Sequence, residues 1–319
     1  MKITVIGCGR WGSFLSWYLD RLGHQVTLYG RPDSKRFQEI SFSRSNGLVQ
    51  LPSSVRLSSN LDEACDEARA VVISVPSQSL REVAEQLAQL RLQACLVVLC
   101  MKGLESETGL RLTQVAEQIL PPSNPTAVWL GPGHVQEFYA GVPNCMVIDS
   151  HWEQCKEELI EAFSSDLIRF YYGQDVIGNE VGAAAKNVVG IGAGMLDGLG
   201  VTSLKGALMS RGTREIARLI KAMGGNELSA YGLCHLGDYQ ATVFSPFSHN
   251  RAFGEAFVKG QPYEKLAEGY YTVKALCLLA ERYAVELPIC QTVYQVLYRK
   301  KDPQKSLDRL FTRSLKQEF

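Results

Sequence analysis

Residues 2–12 read KITVIGCGRWG, an apolar β-like run followed at once by the spacing Gly7-x-Gly9-x-x-Gly12. A helix-like stretch follows over residues 11–22. In such a strand–turn–helix unit the first glycine permits a tight turn, the second lets the backbone approach a pyrophosphate, and the third lets helix and strand pack closely. The exposed amides at the helix start favour a phosphate anion. The stretch therefore predicts a dinucleotide-binding unit, with Arg10 beside the glycines as a further candidate cofactor contact.

The pattern along the chain predicts an α/β fold with two domains. Apolar runs typical of β-strands occupy residues 2–6, 25–29, 70–75, 95–100, 126–130, 144–148 and 167–172, with helical patterns between several of them, such as 79–90 and 152–163. This alternation favours a mainly parallel sheet covered by helices on both faces. Beyond about residue 178 the pattern is helical, over 181–219, 272–283 and 292–297. We therefore expect a Rossmann-like dinucleotide-binding domain over 1–178 and an all-helical substrate-binding and catalytic domain over 179–319.

Composition narrows the functional classes. Lys+Arg and Asp+Glu both number 33, which gives no net charge to attract nucleic acid or an anionic membrane. No apolar run approaches the ~20 residues of a membrane span. The nine cysteines are scattered without a C-x-x-C pair, and the five histidines without H-E-x-x-H. These features predict reduced thiols in a cytoplasmic protein and no metal site.

The end of the second strand bears on the choice of dinucleotide. An NAD-preferring site usually has an acidic residue here, which binds the ribose hydroxyls. This chain instead has Arg31 after Gly30, with Lys35 and Arg36 close behind, and these cations suit the 2′-phosphate of NADPH. Asp33 lies among these cations, and an acidic residue here leaves NADH as the alternative dinucleotide.

Three consecutive strands end in glycine, proline or lysine. Pro76 follows one strand, Lys102 the next, and the run Gly131-Pro132-Gly133-His134 a third. Ligands of open α/β sheets bind outside the carboxyl ends of the strands. We therefore expect these three loops to border one crevice.

Lys186 lies within GAAAKNVVGIGAGMLDGLG (182–200), an otherwise apolar and glycine-rich stretch. Each glycine inside a helix costs ~1 kcal/mol relative to alanine, so this many glycines imply very close packing against other backbone or a ligand. Desolvation would lower the pKa of a lysine held there and make it a general acid near neutral pH. The alternative is a lysine whose stem packs while its ammonium reaches solvent.

Polar residues gather again in residues 232–257. Asp238 follows a glycine, and Ser248-His249-Asn250-Arg251 precedes an apolar helix start. Hydroxyl, imidazole, amide and guanidinium groups at a helix N-terminus suit a small phosphoester. A plain helix cap by Ser248 or Asn250 is compatible with the same pattern.

Taken in order, these motifs resemble bacterial NAD(P)H-dependent glycerol-3-phosphate dehydrogenases over essentially the whole chain. GCGRWG, MKGLE, AKNVVGIGAGMLDGLG, LMSRGTREIARL, GLCHLGD, SHNRAFG and AEGYYTVKAL follow the family's order and spacing. The resemblance implies reduction of dihydroxyacetone phosphate to sn-glycerol 3-phosphate for phospholipid synthesis, with Lys186 as proton donor. It further implies that Lys102 contacts both substrate and cofactor. The other implied substrate contacts are Gly131, Asp238, Ser248, His249 and Asn250, and the implied dinucleotide contacts are Trp11, Arg31, Val135, His249 and Glu268.

Two departures from the family pattern concern the substrate phosphate. Ser-Arg-Asn-Arg is usual where this chain has His249 after Ser248, and Gly-Pro-Ser-Phe is usual where it has His134. Imidazole is a weaker, pH-dependent anion partner than a guanidinium. If the two histidines replace the usual contacts, apparent substrate affinity weakens as pH rises from ~6 to ~8.

Two other functions stay open at this stage. One is a related dehydrogenase of another small 2-oxo or 3-hydroxy acid, and the other is a protein that senses NADPH without turnover. The order of motifs disfavours the first, and the presence of both Lys102 and Lys186 disfavours the second. A homodimer is expected from the resemblance alone.

Overall fold

The structure is a computed structural model that describes residues 1–90 and 92–312. The chain forms two compact units. The first comprises Met1–Lys102 and Arg111–Glu180, and the second comprises Gly103–Leu110 and the chain from Val181 onward. The sequence led us to expect one division after residue 178. The short segment Gly103–Leu110, which belongs to the second unit, was not foreseen.

An eight-stranded sheet forms the centre of the first unit. Its strands are β1 (Lys2–Ile6), β2 (Gln25–Tyr29), β3 (Arg56–Ser58), β4 (Ala70–Ile73), β5 (Leu96–Leu99), β6 (Thr126–Leu130), β7 (Asn144–Asp149) and β8 (Ile168–Tyr172). They lie in the order β3-β2-β1-β4-β5-β6-β7-β8, and every neighbouring pair is parallel except β6 with β7. The predicted mainly parallel sheet is confirmed. Strand β3 was not predicted, because it has three residues and two of them are polar.

In the described part of the first unit, seven α-helices lie wholly within the unit: α1 (Arg10–Arg21), α2 (Lys35–Ser43), α3 (Leu61–Cys65), α4 (Leu80–Gln89), α5 (Leu112–Ile119), α6 (Val135–Tyr139) and α7 (Glu153–Phe163). The central strands β4, β5 and β6 are buried at every position. Such continuous burial is what a parallel sheet with both faces covered requires. Large side chains such as Phe14, Tyr18 and Trp129 fill the core beside it.

The second unit is built from helices, and its described residues include no strand. The long helix α8 (Val176–Gly198) begins in the first unit and runs into the second, where it is followed by α9 (Lys205–Ala222), α10 (His249–Val258), α11 (Glu268–Arg282), α12 (Pro288–Arg299) and α13 (Pro303–Phe311). A core that includes Val189, Tyr239 and Ile289 holds this unit together. The predicted α/β fold with a helical C-terminal part is therefore confirmed.

Close packing within the second unit explains Gly194 of α8 and two glycines of the helices that pack on α8. A Cβ at Gly194 would collide with the Arg251 carbonyl oxygen of α10, and one at Gly254 of α10 would collide with the Ile191 carbonyl of α8. A Cβ at Gly269 of α11 would lie 2.6 Å from the Asn187 carbonyl oxygen. The sequence left backbone and ligand as alternatives for this close packing. At these positions the partner is backbone.

Candidate active site

The turn between β1 and α1 has the conformation that its glycines predict. Gly7 has φ +110°, and a Cβ there would collide with the Ser74 carbonyl oxygen at the end of β4. A Cβ on Gly12 would collide with the Gly7 carbonyl oxygen, so α1 could not pack onto the turn. Both glycines are therefore required by the local structure.

The start of α1 offers room for an anion. Gly9 is the N-cap and no side chain caps the helix, so its first amides are not covered from the N-terminal side by a cap. The nearest surrounding atom to a Cβ built on Gly9 would be Arg36 Nη1, at 3.7 Å. Amides with a nearby guanidinium fit the pyrophosphate of a dinucleotide. Arg10 and Trp11 are half-buried in the first turn of this helix.

Arg36, one of the basic residues after β2, lies beside the glycine loop. Arg31 is exposed, and its Nε lies 3.8 Å from Asp33 Oδ1. Arg36 is in the first turn of α2, which Ser34 caps by accepting the Phe37 amide. Arg31 was the expected cofactor contact, and Arg36 was expected only as a neighbouring cation.

The loops after β5 and β6 meet through a hydrogen bond. Lys102 Nζ donates to the Gly131 carbonyl oxygen at 2.5 Å. Gly131 has φ +133°, and a Cβ there would lie 3.0 Å from Met146 Cα, so glycine is favoured by conformation and by space. Val135, buried, begins α6 just beyond. Two of the three strand-end loops expected at one crevice are thus joined directly.

A buried ion pair lies in the second unit. Lys186 Nζ is 2.6 Å from Asp238 Oδ2, and the two residues are 6% and 0% exposed. Lys186 Nζ also donates to Thr242 Oγ1 at 2.8 Å. Asp238 ends a short 3₁₀ turn and Thr242 lies in the π-helical turn that follows. Lysine and aspartate, 52 positions apart in the chain, therefore form one cluster with a hydroxyl.

The short distance between Lys186 Nζ and Asp238 Oδ2 is that of an ammonium–carboxylate ion pair. Burying two opposite charges is stabilising only when their geometry repays the loss of hydration, and such pairs are weak evidence of stabilisation. The Asp238 carboxylate favours the ammonium form and opposes the effect of desolvation that the sequence led us to expect. The alternative in which the ammonium reaches solvent does not describe this lysine, because its side chain is 8% exposed.

The other predicted residues of the second unit lie at helix starts. Ser248 caps α10 by accepting the Arg251 amide at 3.3 Å, and His249 is the first residue of that helix. Asn250 donates to Asn187 Oδ1 at 3.0 Å and accepts the Gly269 amide at 2.9 Å. Glu268 begins α11. The capping role foreseen for Ser248 is present, and Asn250 links α8 to the start of α11.

Thr242 and Asn187 are site residues that were not predicted from the sequence. Thr242 is a single hydroxyl residue in the apolar stretch ATVF, four positions after Asp238, and that spacing was the available signal. Asn187 adjoins the lysine in the sequence, but its contact with Asn250 depends on how α10 packs.

Comparison with known proteins decides the family. The model of the NAD-dependent glycerol-3-phosphate dehydrogenase N-terminus matches residues 2–156, and that of the C-terminus matches residues 175–308. The chain belongs to the NAD-dependent glycerol-3-phosphate dehydrogenase family. Its relatives include glycerol-3-phosphate dehydrogenase [NAD(P)+] of Thermoanaerobacter sp., 36% identical over 100% of this chain and 99% of that protein. The corresponding protein of Chlorobium phaeobacteroides is 35% identical, with the same coverage.

A solved structure agrees with this assignment to the glycerol-3-phosphate dehydrogenase family. The crystal structure of glycerol-3-phosphate dehydrogenase from Coxiella burnetii superposes with a TM-score of 0.91 at 28% identity, and the match covers 98% of each chain. Within residues 1–90 and 92–312, no helix is long and apolar enough to cross a membrane. The same residues contain no group of three or more His, Cys, Asp or Glu side chains that could hold a metal ion.

Proposed function

We propose that this protein reduces dihydroxyacetone phosphate to sn-glycerol 3-phosphate with NADH or NADPH, in a reversible reaction that supplies the backbone of glycerophospholipids. The observation that carries the proposal is the buried pair of Lys186 and Asp238 in a chain matched along both parts by this family. A bound reduced nicotinamide supplies the hydride. The residues of the second unit supply the proton.

Lys186 is the proton donor in this proposal. As hydride reaches the carbonyl carbon, the carbonyl oxygen gains negative charge, and the ammonium stabilises that charge and transfers a proton to it. One well-placed donor of this kind is typically worth ~3 kcal/mol or more in the transition state. Lys186 is left as a neutral amine, which accepts the proton when the reaction runs in reverse.

Asp238 and Thr242 prepare the lysine for that step. The carboxylate at 2.6 Å keeps the ammonium charged before the reaction, and the hydroxyl oxygen at 2.8 Å fixes the direction of a second N–H. Because all three side chains are buried, their positions are set by packing rather than by solvent. A preorganised donor costs little reorganisation when the charge develops.

The remaining roles are assigned by chemistry and by the resemblance. We propose that Gly7, Gly9, Arg10, Trp11 and Gly12 hold the dinucleotide pyrophosphate, with Arg31, Val135, His249 and Glu268 as further cofactor contacts. Substrate contacts are assigned to Lys102, Gly131, Asp238, Ser248, His249 and Asn250, and Lys102 serves both ligands. The division of labour is between residues 1–178, which bind NAD(P), and residues 179–319, which bind substrate. The last seven of these lie outside the described residues.

We propose NADPH as the preferred dinucleotide, because Arg36 lies near the glycine loop and Arg31, Lys35 and Arg36 concentrate positive charge after β2. We also propose a cytoplasmic setting, since nine cysteines without a disulfide suit a reducing compartment. A homodimer is the assembly that the resemblance implies, and light scattering of the purified protein would test it.

The first experiment follows the loss of reduced-nicotinamide absorbance with dihydroxyacetone phosphate. NADH and NADPH are compared in parallel, and Lys186→Ala is compared with wild type. We expect turnover with wild type and its loss in the variant, because the proton donor is gone while the glycine loop is intact. Turnover by Lys186→Ala at the wild-type rate would remove the lysine from the mechanism.

Further substrates and a binding assay separate the two alternatives. Turnover of another small 2-oxo acid in place of dihydroxyacetone phosphate would favour the related dehydrogenase. Tight dinucleotide binding without turnover of any substrate tested would favour the sensing protein.

A further inference from the structure

A buried histidine and tyrosine lie beside the lysine cluster and take no part in the chemistry above. His235 and Tyr239 are both fully buried. His235 Nδ1 is 2.8 Å from the Gly182 carbonyl oxygen, and its Nε2 is 2.8 Å from the Tyr239 hydroxyl. The rings meet edge to face, with centroids 4.9 Å apart. Together they form a short hydrogen-bonded chain that starts on α8.

The hydrogen-bond partners of His235 determine which of its ring nitrogens carries the hydrogen. The Gly182 carbonyl oxygen can only accept, so His235 Nδ1 carries the hydrogen. Nε2 of the neutral ring then has a lone pair and accepts the hydrogen of the Tyr239 hydroxyl. Every polar atom of the imidazole is used in a single tautomer, so the ring has one preferred orientation.

The hydrogen-bonded His235–Tyr239 pair contacts both segments that carry the lysine cluster, α8 and the turn that includes Asp238. Gly182 lies one turn before Lys186, and in an α-helix its carbonyl also accepts the amide of residue 186. His235 packs directly on Gly182, where an added Cβ would lie 3.0 Å from the His235 Cβ. Asp238 lies between His235 and Tyr239 in the sequence, and its amide donates to the His235 carbonyl at 3.1 Å. The turn that carries Asp238 is thus tied to the helix that carries Lys186.

We propose that His235 and Tyr239 are positioning residues for the reduction, holding the Asp238 carboxylate against the Lys186 ammonium through the contact of His235 with Gly182. This inference rests on the proposed function, because it assigns these side chains a task in preparing the proton donor. Neither residue is proposed to touch substrate or cofactor.

The electrostatic environment of His235 favours a neutral imidazole. Burial lowers the pKa of His235 to about 4, and the nearby Lys186 charge acts in the same direction, while the hydrogen bond to Gly182 and the Asp238 charge oppose it. A charged imidazole would compete with Lys186 for the Asp238 carboxylate. On the far side, Thr213 Oγ1 of α9 lies 3.4 Å from the Tyr239 hydroxyl, and Glu215 of α9 and Cys290 of α12 are ionisable groups that act on Tyr239.

Two substitutions test the proposal while keeping the core filled. Tyr239→Phe removes only the hydroxyl, and His235→Asn retains an amide where Nδ1 lies but has nothing in the place of Nε2. We expect kcat for dihydroxyacetone phosphate to fall about ten-fold in Tyr239→Phe, since small misplacements of a catalytic group are costly, with the KM for NADH unchanged. A less firmly held Asp238 stabilises the ammonium less. The basic limb of the kcat profile should therefore shift to lower pH.

The matched control is Tyr18→Phe. Tyr18 is a buried tyrosine of the first unit whose hydroxyl donates to the Phe163 carbonyl at 2.6 Å. This variant loses a comparable buried hydrogen bond, and its kcat and basic limb should match those of wild type. Thermal unfolding of all variants shows whether each is folded at the assay temperature.

The outcomes separate the inference from the proposed function. Absence of turnover in wild type would reject the function itself. If wild type turns over and the pH profile of Tyr239→Phe is unshifted, the inference is overturned. This holds whether kcat of the variant is unchanged or falls only in proportion to its folded fraction. Should His235→Asn fail to fold, Tyr239→Phe still decides the matter, because it removes a single oxygen atom.

Discussion

Replacing Lys186 with methionine should destabilise the second unit in a way that depends on pH. The substitution fills a similar volume but leaves Asp238, fully buried, without its ammonium partner at 2.6 Å. At an effective dielectric constant of about 20, the gross attraction across 2.6 Å is about 6 kcal/mol, and desolvation offsets part of it. Removing one partner of a buried pair typically costs about 3–5 kcal/mol.

Protonation sets a ceiling on that loss. The carboxyl group of an aspartate has a pKa near ~3.9 in water. Each pH unit above this value raises the free energy needed to protonate the carboxylate by ~1.36 kcal/mol. Neutralising an ordinary carboxylate therefore costs about 4 kcal/mol at pH 7 and about 1.5 kcal/mol at pH 5, and this cost bounds the penalty of leaving a buried carboxylate without its cation. We expect Lys186→Met to lose about 3–4 kcal/mol at neutral pH and markedly less at pH 5.

The assay is urea unfolding followed by far-UV circular dichroism. Tryptophan fluorescence would not serve, because all four tryptophans precede residue 153 and belong to the first unit. The double variant Lys186→Met/Asp238→Asn should recover most of the stability without recovering turnover. Lys205→Met is the control, since its partner Asp197 keeps Arg251 at 2.8 Å. The control should lose less stability and retain turnover.

A Lys186→Met protein that is as stable as wild type at pH 7 would refute the reasoning. A loss of the same size at pH 5 and pH 7 would refute it equally, because the cost would then not arise from the Asp238 charge.

Three further predictions follow from the two units. Gly7→Ala should weaken NADPH binding at least ten-fold in a fluorescence titration, because the turn has φ +110° and the new Cβ meets backbone; near-normal affinity would contradict that geometry. Arg36→Ala should raise the KM for NADPH more than that for NADH and by a larger factor than Arg31→Ala does, and equal effects of the two variants would remove Arg36 from the 2′-phosphate. His235 has a folded-state pKa of about 4, below the ordinary 6.5, so its stabilising contribution is complete above pH ~6.5 and is lost as pH falls towards 4. The difference in the free energy of urea unfolding between wild type and His235→Asn should shrink by up to about 3 kcal/mol over this range. A constant difference would exclude a neutral buried imidazole.

Much of the first unit could be predicted from the sequence. The apolar runs that form β1, β2, β4, β5, β6, β7 and β8 are dense in β-branched and large side chains, and glycines at fixed spacing mark the first turn. These signals are local, because buried strands and tight turns impose their requirements on adjacent residues. Strand β3 escaped notice because three residues carry no period, and it exists only by pairing with β2.

Lys186 also stood out in the sequence, as a charge in a stretch otherwise suited to burial. Its partners did not, because Asp238 and Thr242 follow more than 50 residues later, and no local pattern specifies which carboxylate meets which lysine. The same holds for His235, whose contact with Gly182 depends on a turn folding back onto α8.

The sequence by itself therefore determined the α/β class, the dinucleotide loop and the presence of a lysine in a stretch otherwise suited to burial. Only the tertiary structure decided that Asp238 and Thr242 contact that lysine, that Arg36 lies beside the glycine loop, and that backbone packs on Gly194 of α8. The division has a physical cause: backbone preferences and burial act within a few residues, whereas charge pairs and helix contacts form between segments that the fold alone brings together.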